Sequence, residues 1–379
     1  MDVTNASRRD LEHTLDRALT RVQRNVSDFG SQFPSYGRGD HTYRLTPNQN
    51  WLAAFWAGLL WLRASKTGDP ADVQRAAALL PSFAQRLEKH IRLNHDLGFL
   101  FTLSARAQWQ QTAYPAAHAL ALQAADVLLA RFHPIGGYIQ AWDAKDDPDE
   151  RGRFIIDCMM NLPLLYWATR ETGNPVYADA ATAHAQTSRR YLLRENGASY
   201  HTYFLNADTG EPVGPKTHQG YDDHSLWARG QAWAVYGFTM AAEWTGDEHF
   251  LEAATAAADC YLQEAPADGI SPWDYRLAPG AAAHPDTSAD AIAAGGLLRL
   301  AALTKNPNYR HHAEKRLSLL VEQAYDTRPD AQGLLLHGTQ HAPHEYGVDT
   351  YTIFGDFFFL EAVMKFIGNA PDFWGPNAK

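Results

Sequence analysis

A four-residue junction recurs along the chain: Thr67-Gly68-Asp69-Pro70, Thr172-Gly173-Asn174-Pro175, Thr245-Gly246-Asp247-Glu248 and Thr304-Lys305-Asn306-Pro307. Its chemistry is that of one helix ending and another beginning. Glycine suits the left-handed residue that closes a helix. Asp or Asn accepts a hydrogen bond from the next helix, and proline fits that helix's first turn, where its missing N–H has no helical partner anyway. Each junction follows an apolar segment, such as Leu59-Leu60-Trp61-Leu62 or Leu164-Leu165-Tyr166-Trp167, and precedes a more amphipathic one, such as 71–87 or 309–322. A helix apolar all round needs cover on every side, whereas an amphipathic helix needs it on one. The repeat therefore predicts hairpins in two concentric layers, with the apolar helices inside.

Periodicity extends this to helices near 10–28, 50–66, 70–91, 98–110, 114–132, 157–172, 175–193, 225–244, 247–264, 287–304, 308–325 and 353–367, with a short hairpin at 199–204 turning at Thr209-Gly210. Twelve helices in six pairs predict an all-α (α/α)6 barrel. An open solenoid of the same hairpins is the alternative. Length alone suggests two or three domains, but no Pro/Gly/Ser-rich linker divides the chain, so 1–379 reads as one domain.

One carboxylate interrupts an otherwise uncharged run, Phe154-Ile155-Ile156-Asp157-Cys158-Met159-Met160-Asn161-Leu162. If this run is packed, Asp157 is poorly solvated and its pKa rises toward that of a neutral-pH general acid. The plain alternative is a helix N-cap. Other unusual residues fall near the starts of the expected inner helices: Asn50, Trp51, Phe55 and Trp56; His95 and Asp96; His224, Trp227, Arg229 and Trp233; Asp286 and Asp290; Tyr351, Phe354 and Asp356. Loops between them carry Gln140-Ala141-Trp142, Tyr200-His201-Thr202-Tyr203 and Thr217-His218-Gln219-Gly220. Indoles stack on sugar rings, polar groups hold hydroxyls, and an arginine among histidines suits a uronate carboxylate. Singly, each residue has a structural reading: core packing for the tryptophans, capping for Asp96 and Asp286, pairing of Arg229 with Asp222 or Asp223, and loop hydrogen bonds for His201 and His218.

Other classes fit less well. A net charge of -10 without a Lys/Arg cluster argues against nucleic acid or an anionic membrane as partner. The longest strongly apolar stretch, 51–62, is too short to span a bilayer. No secretory signal is visible, and two cysteines do not make a disulfide framework, so a reduced cytoplasmic protein is expected, as a monomer or weak homo-oligomer. Nucleotide-binding glycine loops, His-Glu-x-x-His and Gly-x-Ser-x-Gly do not occur. His337, His341 and His344 cluster without an anchoring cysteine and read as loop residues at a pocket mouth, so no metal and no cofactor are expected.

Taken together, His95-Asp96-Leu97-Gly98-Phe99, Ile139-Gln140-Ala141-Trp142, Ile156-Asp157-Cys158, Asn161-Leu162-Pro163-Leu164-Leu165, Ser199-Tyr200-His201-Thr202, Thr217-His218-Gln219-Gly220, Arg229-Gly230-Gln231-Ala232-Trp233, Tyr351-Thr352-Ile353 and Gly355-Asp356 carry a resemblance. From about Ala18 to Phe373 the chain resembles the unsaturated glucuronyl hydrolases of glycoside hydrolase family 88. The resemblance implies an (α/α)6 barrel that acts on lyase-generated oligosaccharides ending in a 4,5-unsaturated uronic acid. It implies hydration of the C4=C5 enol ether, with Asp157 as general acid/base and Asp96 as the second functional aspartate. It places Trp142, His201, Gln219, Arg229 and Trp233 around the unsaturated sugar, with His95 and Trp51 at flanking positions. Leu52 and Ala54 depart from the Thr and Gly usual in the family, and the loop from His337 to Tyr346 lacks the Ser-and-Lys pattern associated with sulfated substrates. The leaving sugar stays open among chondroitin, hyaluronan, heparin-type and gellan- or xanthan-derived fragments. Rival functions are an unsaturated rhamnogalacturonyl hydrolase, a sugar epimerase using His95, His201 or His218, an inverting glycosidase using Asp96 and Asp157, and a non-enzymatic carbohydrate-binding solenoid.

Overall fold

The computed structural model describes residues 3–143 and 148–376. Outer and inner helices alternate along the chain. Outer α1 (Val3–Phe29) leads to inner α2 (Ala53–Thr67), then to outer α3 (Pro70–Ala77) and α4 (Leu80–Glu88). The next inner segment is α5 (Leu97–Phe101), continued through a π-turn at Thr102–Arg106 into α6 (Ala107–Thr112). Outer α7 (Pro115–Leu129), inner α8 (Leu162–Thr172), outer α9 (Val176–Tyr191), inner α10 (Ala228–Thr245), outer α11 (Glu248–Glu264), inner α12 (Thr287–Thr304), outer α13 (Pro307–Gln323) and inner α14 (Ile353–Ile367) complete the series.

The inner helices close on themselves. α2 packs on α5 and α14, α14 on α12, α12 on α10, α10 on α8, and α8 on α5. This closure makes the molecule an (α/α)6 toroid and excludes the open solenoid. Burial follows the layers: α10 is buried without a break from Ala228 to Ala242, whereas α13 buries Tyr309, Ala313, Arg316, Leu317, Leu319 and Leu320.

The repeated junction is built alike each time. Gly68, Gly173, Gly246 and Lys305 hold left-handed C-caps, with φ of 64°, 73°, 72° and 59°. Asp69, Asn174, Asp247 and Asn306 each accept from the backbone N–H two residues on. The threonine hydroxyls of Thr67, Thr172, Thr245 and Thr304 accept from the N–H of those capping residues.

Small sheets cap the toroid. β1 (Phe33–Gly37) pairs with β2 (Tyr43–Thr46), and β3 (Phe132–His133) with β4 (Tyr138–Ile139). The hairpin expected after Ser199 is β6 (Thr202–Leu205) with β7 (Pro212–Lys216). It gains a third strand, β5 (Arg153–Ile155), across a separation of about fifty residues that local patterning does not reveal. At the far end, away from the inner-helix N-termini, a buried polar network seals the barrel. Glu361 accepts from Trp374 Nε1 (2.8 Å), Lys365 Nζ (2.9 Å) and Tyr236 OH (2.9 Å), while Arg299 bridges Glu243 and Asp372. Cys158 and Cys260 are buried and unpaired. Among the described residues no helix is long and apolar enough to cross a membrane.

Lys305 is the one junction where a side chain occupies the left-handed position, and it is exposed. Lys305→Gly is expected to stabilise the protein by about 0.5–1 kcal/mol in urea denaturation, and Gly173→Ala to destabilise it by about 1 kcal/mol.

Candidate active site

Each inner helix is followed by an outer helix that runs back, so the six inner helices are parallel and their N-termini share one rim. Trp51 precedes α2, Asp96 precedes α5, Asp157 lies before α8, Trp227 and Arg229 open α10, Asp286 caps α12 and Phe354 opens α14.

Asp157 sits on a single 3-10 turn, Ile156–Met160, rather than on α8 itself. Pro163 is the reason. Within a helix running from 157 it would lack the N–H needed by the carbonyl of Met159 and crowd that carbonyl, so α8 begins only at Leu162. Neither Asp96, which caps α5, nor Asn161, which caps α8, makes a side-chain capping bond, and Asp157 holds neither capping position. Close backbone approaches hold the turn. A Cβ on Gly98 would lie 2.3 Å from Asn161 Cα, and one on Gly237 would lie 2.4 Å from Met159 Cβ. Asn161 ties the two sides, accepting from Phe99 N–H at 2.6 Å and donating to the Asp157 carbonyl at 3.3 Å. Because Asp96 immediately precedes α5, the same clamp draws both carboxylates to one place.

Burial raises the Asp157 carboxyl to about 7, and repulsion from Asp96 adds to the rise. Arg229, a backbone amide and the nearby Trp233 indole N–H pull partly back. Asp157 Oδ2 and Trp233 Nε1 are buried without a hydrogen-bond partner among the described residues. The indole therefore acts on the carboxylate as a nearby dipole without reaching hydrogen-bond geometry.

The remaining expected residues form a connected wall. Trp51 stacks on Phe354 (5.1 Å), and the Arg229 guanidinium lies over Phe354 (5.0 Å) and Trp227 (4.5 Å). Trp227 contacts His201 (4.3 Å), whose Nε2 lies 3.9 Å from Asp157 Oδ2. His218 bridges Trp142 (4.9 Å) and His341 (5.0 Å), and His341 stacks on His344 (4.2 Å). Trp142 meets His95 edge-on, and His95 Nε2 is 3.4 Å from Asp96 Oδ1. Gln219 is fixed by a bond from its amide nitrogen to the Gln340 carbonyl (2.9 Å).

Several expectations need correction. Arg229 pairs with neither Asp222 nor Asp223. It binds Asp286 Oδ2 and the Thr339 carbonyl through one terminal nitrogen and the Gln340 carbonyl through the other, at 2.6 Å each. With both nitrogens engaged and 1% exposure, it contributes charge from behind the wall rather than a bidentate clamp. Asp290 turns away to Tyr261 and Ser271. Asp356 accepts from Tyr43 and from the backbone of Leu334 and Leu335. Trp56 packs on Phe29, and His224 packs on Tyr200. Among the described residues, no group of three or more His, Cys, Asp or Glu is arranged to hold a metal, and His337 pairs instead with Asp349 at 2.6 Å.

The structure also adds residues that the sequence reading passed over. Arg153 lies over the Trp142 ring at 4.6 Å and is held by Glu150 and Thr202. Asn161 was visible only as part of a motif, although polar side chains at a helix start commonly organise backbone.

A carboxyl with its folded pKa raised from 3.8 to about 7 binds its proton more tightly in the folded state. Stability is therefore lost as pH rises from about 4 to 7, and the penalty persists above that. Asp157→Asn is expected to be more stable than the parent by a few kcal/mol at pH 8, with the gain vanishing near pH 4. Thermal and urea unfolding at both pH values checks this. A gain independent of pH would mean that Asp157 is not destabilised by its site. Asn161→Ala should cost about 1–3 kcal/mol, because it leaves the buried Phe99 N–H without an acceptor.

Comparison with known proteins agrees with this geometry. An unsaturated glucuronyl hydrolase from Bacillus sp. strain GL1 is 39% identical over 370 residues, covering 96% of this chain and 98% of the relative. An unsaturated chondroitin disaccharide hydrolase from Streptococcus pyogenes serotype M1 is 35% identical, covering 97% and 94%. The crystal structure of the Bacillus sp. GL1 enzyme, described as responsible for the degradation of glycosaminoglycan, superposes with a TM-score of 0.93 at 37% identity, covering 97% of this chain and 100% of that one. Residues 26–351 match the family model described as Glycosyl Hydrolase Family 88, and the chain belongs to that family.

Proposed function

We propose that this glycoside hydrolase releases a terminal 4,5-unsaturated glucuronic acid from lyase-generated oligosaccharides, with Asp157 as general acid/base. The observation that carries this reading is a buried carboxyl held near pKa 7, its Oδ2 without a hydrogen-bond partner among the described residues, inside a wall of indoles and imidazoles. Hydration of an enol ether needs one proton donor that is neutral before the reaction and basic after it. Asp157 gives its proton to C4, oxocarbenium character develops at C5 and the ring oxygen, and the new carboxylate takes a proton from the water that adds at C5. The hemiketal at C5 then opens, and the sugar bonded at C1 departs.

Asp96 holds ring hydroxyls and shares the local charge balance with Asp157. Trp51 and Trp142 supply aromatic surface, Trp233 lies buried beneath the site with its indole N–H near Asp157, and His95, His201 and Gln219 supply polar contacts. Arg229, together with the positive ends of six helix dipoles, favours the substrate carboxylate at this rim. The chondroitin disaccharide hydrolases among the relatives support an unsaturated glycosaminoglycan disaccharide as substrate. The large exposed apolar side chains (Tyr114, Ile135, Val176, Val213, Tyr221 and Tyr346) come from separate segments, which supports a monomer or weak homo-oligomer. The whole chain reads as one catalytic domain. An epimerase fits less well, because burial lowers the pKa of His95, His201 and His218 and so weakens each as a proton-abstracting base.

Hydration destroys the conjugation of C4=C5 with the carboxylate, so ultraviolet absorbance of unsaturated chondroitin or hyaluronan disaccharide should fall. Persistence of that absorbance across a panel of unsaturated disaccharides would sink the reading. Asp157→Asn should lower the rate by roughly 10²–10⁴-fold with the fold intact, and the parent rate should fall as pH rises through about 7, where the acid loses its proton. Deuterated water should leave label at C4.

A further inference from the structure

Resting on that reading, we propose that His201 is a positioning residue, locked by the backbone as a neutral Nε2–H donor that does not compete for the transferable proton of Asp157 and steadies the carboxylate left behind. The lock is geometric. His201 Nδ1 lies 3.0 Å from the backbone N–H of His218 and 3.0 Å from that of Gln219. A ring nitrogen that accepts hydrogen bonds carries no proton, so the hydrogen of the neutral ring is on Nε2.

Nε2 is buried, has no partner among the described residues, and stands 3.9 Å from the equally unpartnered Asp157 Oδ2. The two are held in register by the strands before them. Ile155 pairs with Thr202, and the Ile156 N–H donates to the His201 carbonyl at 3.0 Å. Trp227, 4.3 Å away, blocks one side of the ring. A closing movement of about 1 Å, of the kind substrate binding produces, brings donor and acceptor into hydrogen-bond range.

An ordinary imidazole beside a carboxyl titrating near 7 would compete for its proton and form an ion pair, leaving no neutral acid. Here neither nitrogen is free to take it. Nε2 already carries a hydrogen, and a proton on Nδ1 would confront two backbone N–H groups. The charged and titratable groups facing His201 reinforce this. Arg153, Arg229, His218 and His341 all disfavour a second proton, as does burial, and Asp157 is the acidic group opposite. Asp157 in turn faces Asp96, Arg229 and the Trp233 indole. The proton therefore passes from the Asp157 carboxyl to C4, the electron pair stays on the carboxylate, and the proton returned comes from water. None passes through His201.

Two substitutions separate donor from lock. His201→Asn puts an amide oxygen near the Nδ1 position, keeping the loop acceptor and losing the donor to Asp157. Expected are a fall in kcat of about 10–100-fold, KM within about threefold, and an alkaline limb moved to higher pH, because the carboxylate has lost a stabilising donor. His201→Gln puts an amide nitrogen near the Nε2 position, keeping the donor and releasing the loop that carries Gln219. Expected is a raised KM with the limb unmoved. Equal losses in both variants with no change in the limb would overturn the proposal. A second arm needs no turnover: ¹⁵N NMR of histidine-labelled native enzyme should show His201 as the Nε2–H tautomer, without titration in the ordinary histidine range. An Nδ1–H signal, or titration near 6.5, would overturn the lock even if the enzyme proves fully active on unsaturated disaccharides. The expected tautomer would stand even if it proves inactive on them.

Discussion

The backbone contact between the turn at Ile156–Met160 and the helices on either side is what the rest of the site depends on. It exists because Gly98 and Gly237 have no side chain where Asn161 and Met159 must lie. A closely packed interior transmits displacement rather than absorbing it. The same contact therefore sets how deeply Asp157 is buried, how near Asp96 stands, and where β5 must run to reach β6. The raised carboxyl follows from that depth, and the alignment with His201 follows from the strand register.

The two ends of the barrel handle charge in opposite ways. At the far end, Glu361, Lys365, Arg299, Asp372 and Glu243 are buried as mutually bonded partners, and the C-terminal segment around Trp374 seals them. Buried charges paired in this way help to close a structure. At the rim, Asp157 Oδ2, His201 Nε2 and Trp233 Nε1 have no hydrogen-bond partner among the described residues. Unsatisfied buried polar atoms cost stability, and these three lie at or beside the carboxyl whose pKa is raised. Arg229 links the two themes. Its bond to Asp286 and its grip on the 339–340 carbonyls make it an anchor for the loop over the site, while its charge still reaches Asp157.

The hairpin layers were legible because their signals are local. The threonine, the left-handed residue and the capping Asp or Asn of each junction act within a few positions of one another, and the structure repeats the same bonds at all four. The apolar setting of Asp157 was legible for the same reason: a lone carboxylate in such a run has to be desolvated when the run packs. What misled was the assumption that the run continued into helix from 157, when Pro163 forbids it. The structural alternative for Arg229 looked to its sequence neighbours, but its partner is 57 residues away in the chain. Asp290 and Asp356 lie at inner-helix starts on the same rim, yet are spent on buried bonds to Tyr261 and Tyr43. Helical phase alone does not distinguish the two faces of a helix buried all round.

By itself, then, the sequence determined the alternation of inner and outer helices, the rim on which polar residues gather, and the carboxylate with reason to keep its proton. Each of these depends on short-range backbone preferences or on the solvation of a single group. Tertiary structure alone decided the closure of the ring, the third strand, the partner of Arg229 and the tautomer of His201. Those rest on contacts between segments far apart in the chain, where Å-scale distances decide whether a nitrogen donates or accepts.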